Sequence, residues 1–481
     1  MRKRKSKLLA LAALLALAAT WWLLTRGEEL DTRFSGAYRL DDGRLVFVTP
    51  RDDDTLRYRM MSGESRALWP VDELTFEAGP GWSGREPVEV TVSFDAPGGD
   101  AEWTDASGTR RAQRLDLPEI HGSFSSGDLE LRAKLVLPEG EGPFPVVVFV
   151  HGSGRDSAVD TYYNPYKFAA HGIAGLVYDK RGTGESEGSY NQNFHLLSDD
   201  TAAAVEWLRG RPEIDPDDVH LAGYSQGGWI APLAATKVDV RSLLINYGPM
   251  VPVTGEDRWG YVYALEQAGF GAEAVAEVDE INAIVGDIFD RKLDRWGELR
   301  AALEAAEGKE WFDAVRGSDS IVGFLTATEI PWLGVRIIGW WMLRGDPPFI
   351  DRLYDPVPTV ASLDVPSLWI FGAEDSSMPT GWSIDELERL RAAGRPIEIE
   401  VVPEAEHGIL IFEERDGERE IVGYAPGYLE TQVDWVRRQS RSYSPAGSGR
   451  TATSGERATA AGSMRASSRA EGDPGPPAAP D

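Results

Sequence analysis

The sequence predicts an α/β protein: a doubly wound, mostly parallel sheet carrying a helical lid insertion, preceded by a small all-β module. Three observations carry that expectation. Over residues 124–250, and again over 362–438, short continuous apolar runs alternate with segments of helical spacing. Over 251–361 the alternation stops and helical patches take its place. Before residue 118 the apolar residues recur at period two instead, between breaks rich in Gly, Pro and Asp.

Composition bounds the function. The chain of 481 residues exceeds one ordinary domain, and its 42% apolar content suits a globular core. It has no cysteine, which excludes disulfides, a thiol nucleophile and cysteine-ligated zinc together. The net charge of −29 is uneven: residues 1–27 carry six Lys/Arg and no acid, whereas 28–440 carry 38 basic and 74 acidic residues. A body this acidic repels nucleic acid and anionic lipid, so neither is an expected partner for it.

The elements follow in order. Met1 to Lys7 is basic and Leu8 to Leu24 is an uncharged apolar run, the pattern of an export signal. Ala16-Leu17-Ala18 could be cleaved, but Trp21-Trp22-Leu23-Leu24 continues the run and suits a membrane interface. Residues 1–27 therefore read as a signal peptide or, by preference, an uncleaved membrane anchor, with a tether through 8–24. Either way the remainder is expected outside the cytoplasmic membrane: anchored there, or secreted or periplasmic after cleavage. Residues 28–118 form the β module, a small antiparallel barrel or sandwich. Tyr38 to Val48 gives two strands around an Asp-Gly turn, and Thr55–Met60 and Val88–Phe94 alternate in and out. No chemical cluster stands out there, so an accessory role is expected.

Residues 119–440 make the second domain. Phe124 to Leu137 reads as a hairpin, and Pro145 to Val150 as a strand covered on both faces. A helix (Pro165–His171), a strand (Ile173–Tyr178), a loop (Asp179–Gly188) and a helix (Leu197–Arg209) follow. Val219–Ala235 is strand, tight turn and helix, and Ser242–Tyr247 is the next strand. In the insertion, Ala272–Arg291 and Leu299–Val315 read as helical, and Trp332, Trp340 and Trp341 as lid core. The sheet resumes at Pro366–Phe371, then helix Ile384–Ala393, strand Ile397–Val402 and helix Gly427–Arg438. Residues 441–481, rich in Ser, Gly, Ala and Arg, lack the apolar content to fold.

The chemistry centres on Gly223-Tyr224-Ser225-Gln226-Gly227, a G-x-S-x-G stretch between strand and helix. Gly184-Glu185-Ser186-Glu187-Gly188 matches the same pattern, but neither strand nor helix flanks it, and its two carboxylates oppose an alkoxide. Ser225 is therefore the candidate nucleophile. A serine needs an oriented base. Of six histidines, His407 lies in the loop after the last strand, where a base belongs. His220 precedes the nucleophile on its strand and points away. His151, His171 and His195 read as structural or marginal. The orienting acid is Asp375, after strand 366–371, with Glu374 and Glu406 in reserve. The oxyanion donors are the amides of Gln226 and Ser153, with Gly154 as fallback. No His pair or His/carboxylate cluster has metal-ligand spacing, and no dinucleotide motif is complete, so no metal or cofactor is expected.

The segments His151-Gly-Ser-Gly154, Tyr178 to Ser186, Gly223 to Gly227, Gly372-Ala-Glu-Asp375 and His407-Gly408 together resemble the α/β-hydrolase superfamily. They are nearest its bacterial serine esterases and the related serine aminopeptidase and prolyl-oligopeptidase-like catalytic domains. The likeness covers about residues 124–250 and 362–438. It implies a serine hydrolase, which the N-terminal pattern makes an exported one, foremost a carboxylesterase acting on small or medium acyl esters. A peptidase taking short peptides, a thioesterase or an acyltransferase would use the same residues, and a non-catalytic binding protein ranks below them. It also implies that the Arg181-to-Ser186 loop is structural. Residues 28–118 loosely resemble the barrel appendages of exported bacterial hydrolases and are too short for a propeller.

Overall fold

The computed structural model describes residues 30–51, 55–290, 293–344, 349–415 and 418–441. The expectations for 1–27 and for the segment after 441 fall outside that range. No helix among the described residues is long and apolar enough to cross a membrane.

The β module is a closed antiparallel barrel of eight strands: β1 (Gly36–Leu40), β2 (Leu45–Pro50), β3 (Leu56–Met60), β4 (Ser65–Pro70), β5 (Thr75–Ala78), β6 (Val90–Phe94), β7 (Ala101–Asp105) and β8 (Gly108–Arg114). β8 closes on β1 with Arg39 opposite Gln113. Closure leaves no free edge to aggregate. Inward-facing Tyr58, Phe76, Val92, Phe94 and Trp103 fill the barrel, which is therefore packed and not a channel.

The second domain is an eight-stranded sheet. Its strands are β9 (Glu119–Ser126), β10 (Leu129–Val136), β11 (Phe144–Val150), β12 (Ala174–Tyr178), β13 (Ile214–Tyr224), β14 (Ser242–Asn246), β15 (Ser367–Gly372) and β16 (Ile397–Val402). Their order is β16-β15-β14-β13-β11-β12-β10-β9. β11 to β16 run parallel, and β9 and β10 are the antiparallel edge. Covering both faces explains the unbroken Val146 to Val150 run. Val146, Val148 and Val150 face one core, with helices α3 (Phe194–Arg209) and α4 (Gly227–Ala235). Val147 and Phe149 face the other, with α1 (Ala158–Thr161), α2 (Asn164–Ala169) and a C-terminal helix, α13 (Tyr428–Gln439). Barrel residues Ala37 and Phe47 belong to this second core, so barrel and sheet are one packed body.

Sequence reading missed one element. β17 (Ala405–Glu406), β18 (Leu410–Arg415) and β19 (Glu418–Tyr424) form a three-stranded sheet directly around His407. The barrel braces it: Tyr424 N–H donates to Gly63 O at 2.8 Å, and Trp82 N–H to Ile421 O at 2.9 Å. Gly63 permits the approach, since a Cβ there would stand 2.4 Å from the Tyr424 carbonyl oxygen. An accessory barrel thus fastens the loop that carries the candidate base.

The insertion is helical throughout: α5 (Val253–Gln267), α6 (Ala272–Phe289), α7 (Trp296–Ala306), α8 (Phe312–Val315), α9 (Ile321–Ala327), α10 (Trp332–Arg344) and α11 (Pro356–Ala361). Two expectations are corrected. The stretch 299–315 is not one helix, because it breaks between Ala306 and Phe312. Nor is Trp340 lid core: it is 48% exposed, beside Leu333 at 67% and Ile337 at 56%. Helix α10 is apolar on more than one face, and the stripe Trp332, Val335, Gly339 and Leu343 packs inward, Trp332 and Gly339 against Trp296. The side chain of Trp341 is outside the description. α12 (Thr380–Ala392) follows β15.

Candidate active site

The site lies at the carboxyl ends of β11, β13, β14 and β15, where open α/β sheets place their chemistry. Ser225 sits between β13 and α4 with φ 53°, a left-handed conformation costing a non-glycine residue about 1–3 kcal/mol. The neighbours compel it. A Cβ on Gly223 would stand 2.4 Å from Gly227 O, and one on Gly227 would stand 2.4 Å from Val150 O. Strand and helix can meet this closely only through glycine. Ser225 N–H donates to Asn246 O at 3.0 Å, tying the turn to β14.

His407 brings its Nε2 to 3.1 Å from Ser225 Oγ and its Nδ1 to 2.9 Å from Asp375 Oδ2. A carboxylate at Nδ1 fixes the N–H there and leaves the Nε2 lone pair facing the serine. The Asp375 side chain is fully buried, whereas that of His407 remains 28% exposed. Asp375 Oδ1 accepts from the amides of Ser377 (2.9 Å) and Met378 (2.8 Å), so the carboxylate cannot rotate away. Tyr247, itself at φ 41°, sets its ring edge-on to the imidazole at 4.8 Å between centroids.

The two reserve acids fall elsewhere. Glu374 is exposed. Glu406 is buried and engaged: it pairs with Arg419 of β19 at 2.6 Å and accepts from the Ser376 amide at 3.1 Å and hydroxyl at 3.0 Å. It thereby clips the acid loop to the base loop.

The two candidate oxyanion amides have no other work. Among the described residues neither Ser153 nor Gln226 donates its backbone N–H to a protein acceptor. Gly152 abuts the nucleophile, since a Cβ there would lie 3.4 Å from Ser225 Cβ. Behind this loop, Lys180 Nζ donates to the carbonyl oxygens of Gly152 and, at 3.1 Å, Gly154. Holding those carbonyls back turns the intervening amide forward. Lys180 was not singled out from sequence, since nothing in Asp179-Lys180-Arg181 marks it. Lys180→Met is expected to lower kcat about tenfold or more with little change in KM, by loosening one oxyanion donor. An unchanged kcat would contradict that role.

The remaining candidates are accounted for structurally. Ser186 Oγ donates to Asp179 O at 2.8 Å and accepts from the Arg132 amide at 2.9 Å, pinning its loop to β10. His220 is buried between Asp218 (3.1 Å) and Ser242 Oγ (2.7 Å). His151 is buried against the Tyr178 ring, 5.0 Å between centroids. His171 and His195 sit at helix margins, the latter 3.9 Å from Asp351. Among the described residues no group of His, Asp and Glu could hold a metal ion.

A cavity of about 780 Å3 lies within the lid and is mainly apolar, lined by Phe289, Trp296, Phe324 and Met342 among others. No triad residue lines it. Glu256 does, and burial, with the fields of Asp319, Asp257 and Asp375, pushes its carboxyl up to about 8. The native state therefore keeps this proton well above the ordinary carboxyl value, while the unfolded chain gives it up. Stability from Glu256 is full below pH 4.5 and is lost as pH rises towards 8. Its span is on the order of a few kcal/mol. Glu256→Gln is expected to raise Tm at pH 8 and to close that gap by pH 5, as read by scanning calorimetry. Parallel Tm curves for both proteins would contradict it.

A family model for X-Pro dipeptidyl-peptidases of the S15 family matches residues 126–322, fewer than half of the chain. The quorum-quenching protein AidA of Acinetobacter baumannii is 36% identical over 107 residues, 22% of this chain and 35% of that protein. The thiohydrolase aneE of Aspergillus aculeatus is 34% identical over 129 residues, 26% of this chain and 40% of its own length. Esterase EstD of Thermotoga maritima is 29% identical over 195 residues, 38% of this chain and 47% of its own. The chain thus spans less than half the length of each of these relatives.

Proposed function

The chain belongs to the α/β-hydrolase superfamily, and from that premise we propose that it is an exported serine hydrolase, a carboxylesterase cleaving small or medium acyl esters. One observation carries the reading: Ser225 Oγ, His407 and the buried Asp375 lie in a single hydrogen-bonded line of 3.1 and 2.9 Å on a strained elbow. In the reaction, Ser225 Oγ attacks the ester carbonyl carbon as its proton passes to His407 Nε2. Asp375 stabilises the imidazolium, and the amides of Gln226 and Ser153 receive the oxyanion. Collapse of the tetrahedral intermediate breaks the C–O bond, and Nε2 returns its proton to the departing alcohol. Nε2 then takes a proton from water as the hydroxide attacks the acyl carbon, and returns it to Ser225 Oγ as the acyl C–Oγ bond breaks and the acid leaves. None of these steps needs a metal or cofactor.

A second reading has its own support. The S15 match favours a peptidase, and the thiohydrolase relative favours thioester cleavage, both through the same acyl-enzyme. Nitrophenyl esters of graded acyl length, aminoacyl nitroanilides and acyl thioesters, compared by kcat/KM, separate the readings. The ester reading requires esters to lead by at least tenfold; a lead by nitroanilides overturns it in favour of the peptidase.

Export rests on the basic start and the apolar run 8–24, which together suit a signal or a membrane tether. Fractionation of cells producing the full chain tests it. Recovery in the cytoplasmic fraction would overturn export, and recovery of a chain shortened at the N-terminus would replace the tether by a cleaved signal.

A further inference from the structure

A second cavity, about 280 Å3, lies at the seam between the barrel and the sheet, and it borders the triad without containing any of it. Two of its walls touch the chemistry. Tyr247 lines it with one side of the ring that meets His407. Tyr162 also lines it, and its hydroxyl sits at the backbone of Gly152, the residue packed on Ser225.

The lining is polar and unfinished. Asn164 and Tyr224, 6% and 7% exposed, line this cavity, and among the described residues the amide oxygen of one and the hydroxyl of the other have no hydrogen-bond partner. Among the described residues the hydroxyls of Tyr163 and Tyr247 also bond to no protein group. Arg59 reaches in from β3. It donates to Thr49 Oγ1 at 2.9 Å and lies over the Tyr163 ring at 4.4 Å, but its Nε is buried without an acceptor. No carboxylate among the described residues pairs with it, and Asp156 is an exposed charge at the cavity's edge. Leaving a buried polar group unmet is costly, so such groups tend to find a partner. Two of these groups can donate, the Tyr224 hydroxyl and the Arg59 Nε, and with the guanidinium charge they point to an occupant that accepts hydrogen bonds and carries negative charge; the Asn164 amide oxygen, an acceptor, is not one of its donors.

We propose that this seam pocket binds a carboxylate borne by the substrate, held by Arg59 and the surrounding tyrosine hydroxyls while the scissile carbonyl lies at Ser225. The proposal rests on the hydrolase reading and narrows it to esters with a second, anionic end. It also gives the barrel a part in selectivity, because Arg59 reaches the pocket from the barrel, beside Pro50 and Arg51.

Binding and turnover test it separately. Full-length Ser225→Ala protein is titrated calorimetrically with glutarate and with the neutral isostere glutaramide. Glutarate is expected to bind at least tenfold tighter, and Arg59→Gln to remove that advantage while Arg59→Lys keeps part of it. In the protein with Ser225 intact, the ratio of kcat/KM for nitrophenyl hydrogen glutarate over nitrophenyl valerate is expected to fall at least tenfold in Arg59→Gln, chiefly through KM. Equal binding of glutarate and glutaramide overturns the proposal, and that comparison stands even where Arg59→Gln does not fold. A ratio unmoved in a folded Arg59→Gln protein overturns it as well. Glutarate binding with no turnover of either ester would uphold the pocket and sink the hydrolase reading instead.

Discussion

Ser225→Ala is expected to lower ester turnover by roughly a million-fold, the scale of removing the nucleophile from a serine triad. The fold should survive. Among the described residues the hydroxyl's one bonded neighbour is His407, and the alanine Cβ occupies the space of the serine Cβ. Tm is therefore expected within about 2 °C of the parent, since one exposed-side hydrogen bond is worth on the order of 1 kcal/mol. Steady-state hydrolysis of nitrophenyl butyrate beside a thermal melt checks both halves. Turnover within tenfold of the parent, in a protein that melts normally, would place the nucleophile elsewhere.

Asp375→Asn carries the next largest effect, a fall in kcat of about ten-thousand-fold with KM nearly constant. The asparagine would fit the same space. Its amide, however, could offer Nδ2–H to His407 Nδ1, which moves the imidazole proton to Nε2 and turns it against the serine hydroxyl. The Ser377 and Met378 amides need an oxygen acceptor at Oδ1, so the amide nitrogen is forced towards the histidine. Glu406 cannot take over, because Arg419 and Ser376 already hold it. A loss below tenfold would show that Asp375 does not orient the base.

Much of this was legible in the sequence, and for a physical reason. A parallel sheet covered on both faces writes its strands as unbroken apolar runs, and the loops after those runs must share one edge. Ser225 and Asp375 each follow such a run and His407 follows the alternating edge strand Ile397–Val402, so their meeting could be expected although 182 residues separate the first from the last. The strained elbow could be read too, because only glycine allows the contacts at 223 and 227. The barrel was legible only as barrel or sandwich. Its closure depends on β1 pairing with β8 across some seventy residues, which period-two alternation does not encode.

What stayed hidden acts across the chain. The hairpin β18–β19 begins with the apolar run Leu410-Ile411-Phe412 and continues in charged residues, so it shows no clean alternation. With it went the Arg419–Glu406 pair and the barrel's grip on the base loop. Lys180 and Tyr247 were invisible for a related reason: each acts through a backbone or ring that only the folded sheet brings near. Trp340 misled in the other direction. A tryptophan-rich helix invites burial, but α10 has more apolar surface than the lid core can cover.

The central claim is that Ser225 is the residue made nucleophilic by this fold, and mapping a covalent adduct tests it most directly. The full-length protein is treated with a fluorophosphonate, digested and sequenced by mass spectrometry. The account requires a single adduct on the peptide carrying Gly223-Tyr224-Ser225-Gln226-Gly227, absent from Ser225→Ala and strongly slowed in His407→Ala. An adduct on Ser186 or any other serine, or full labelling of Ser225→Ala, would contradict it.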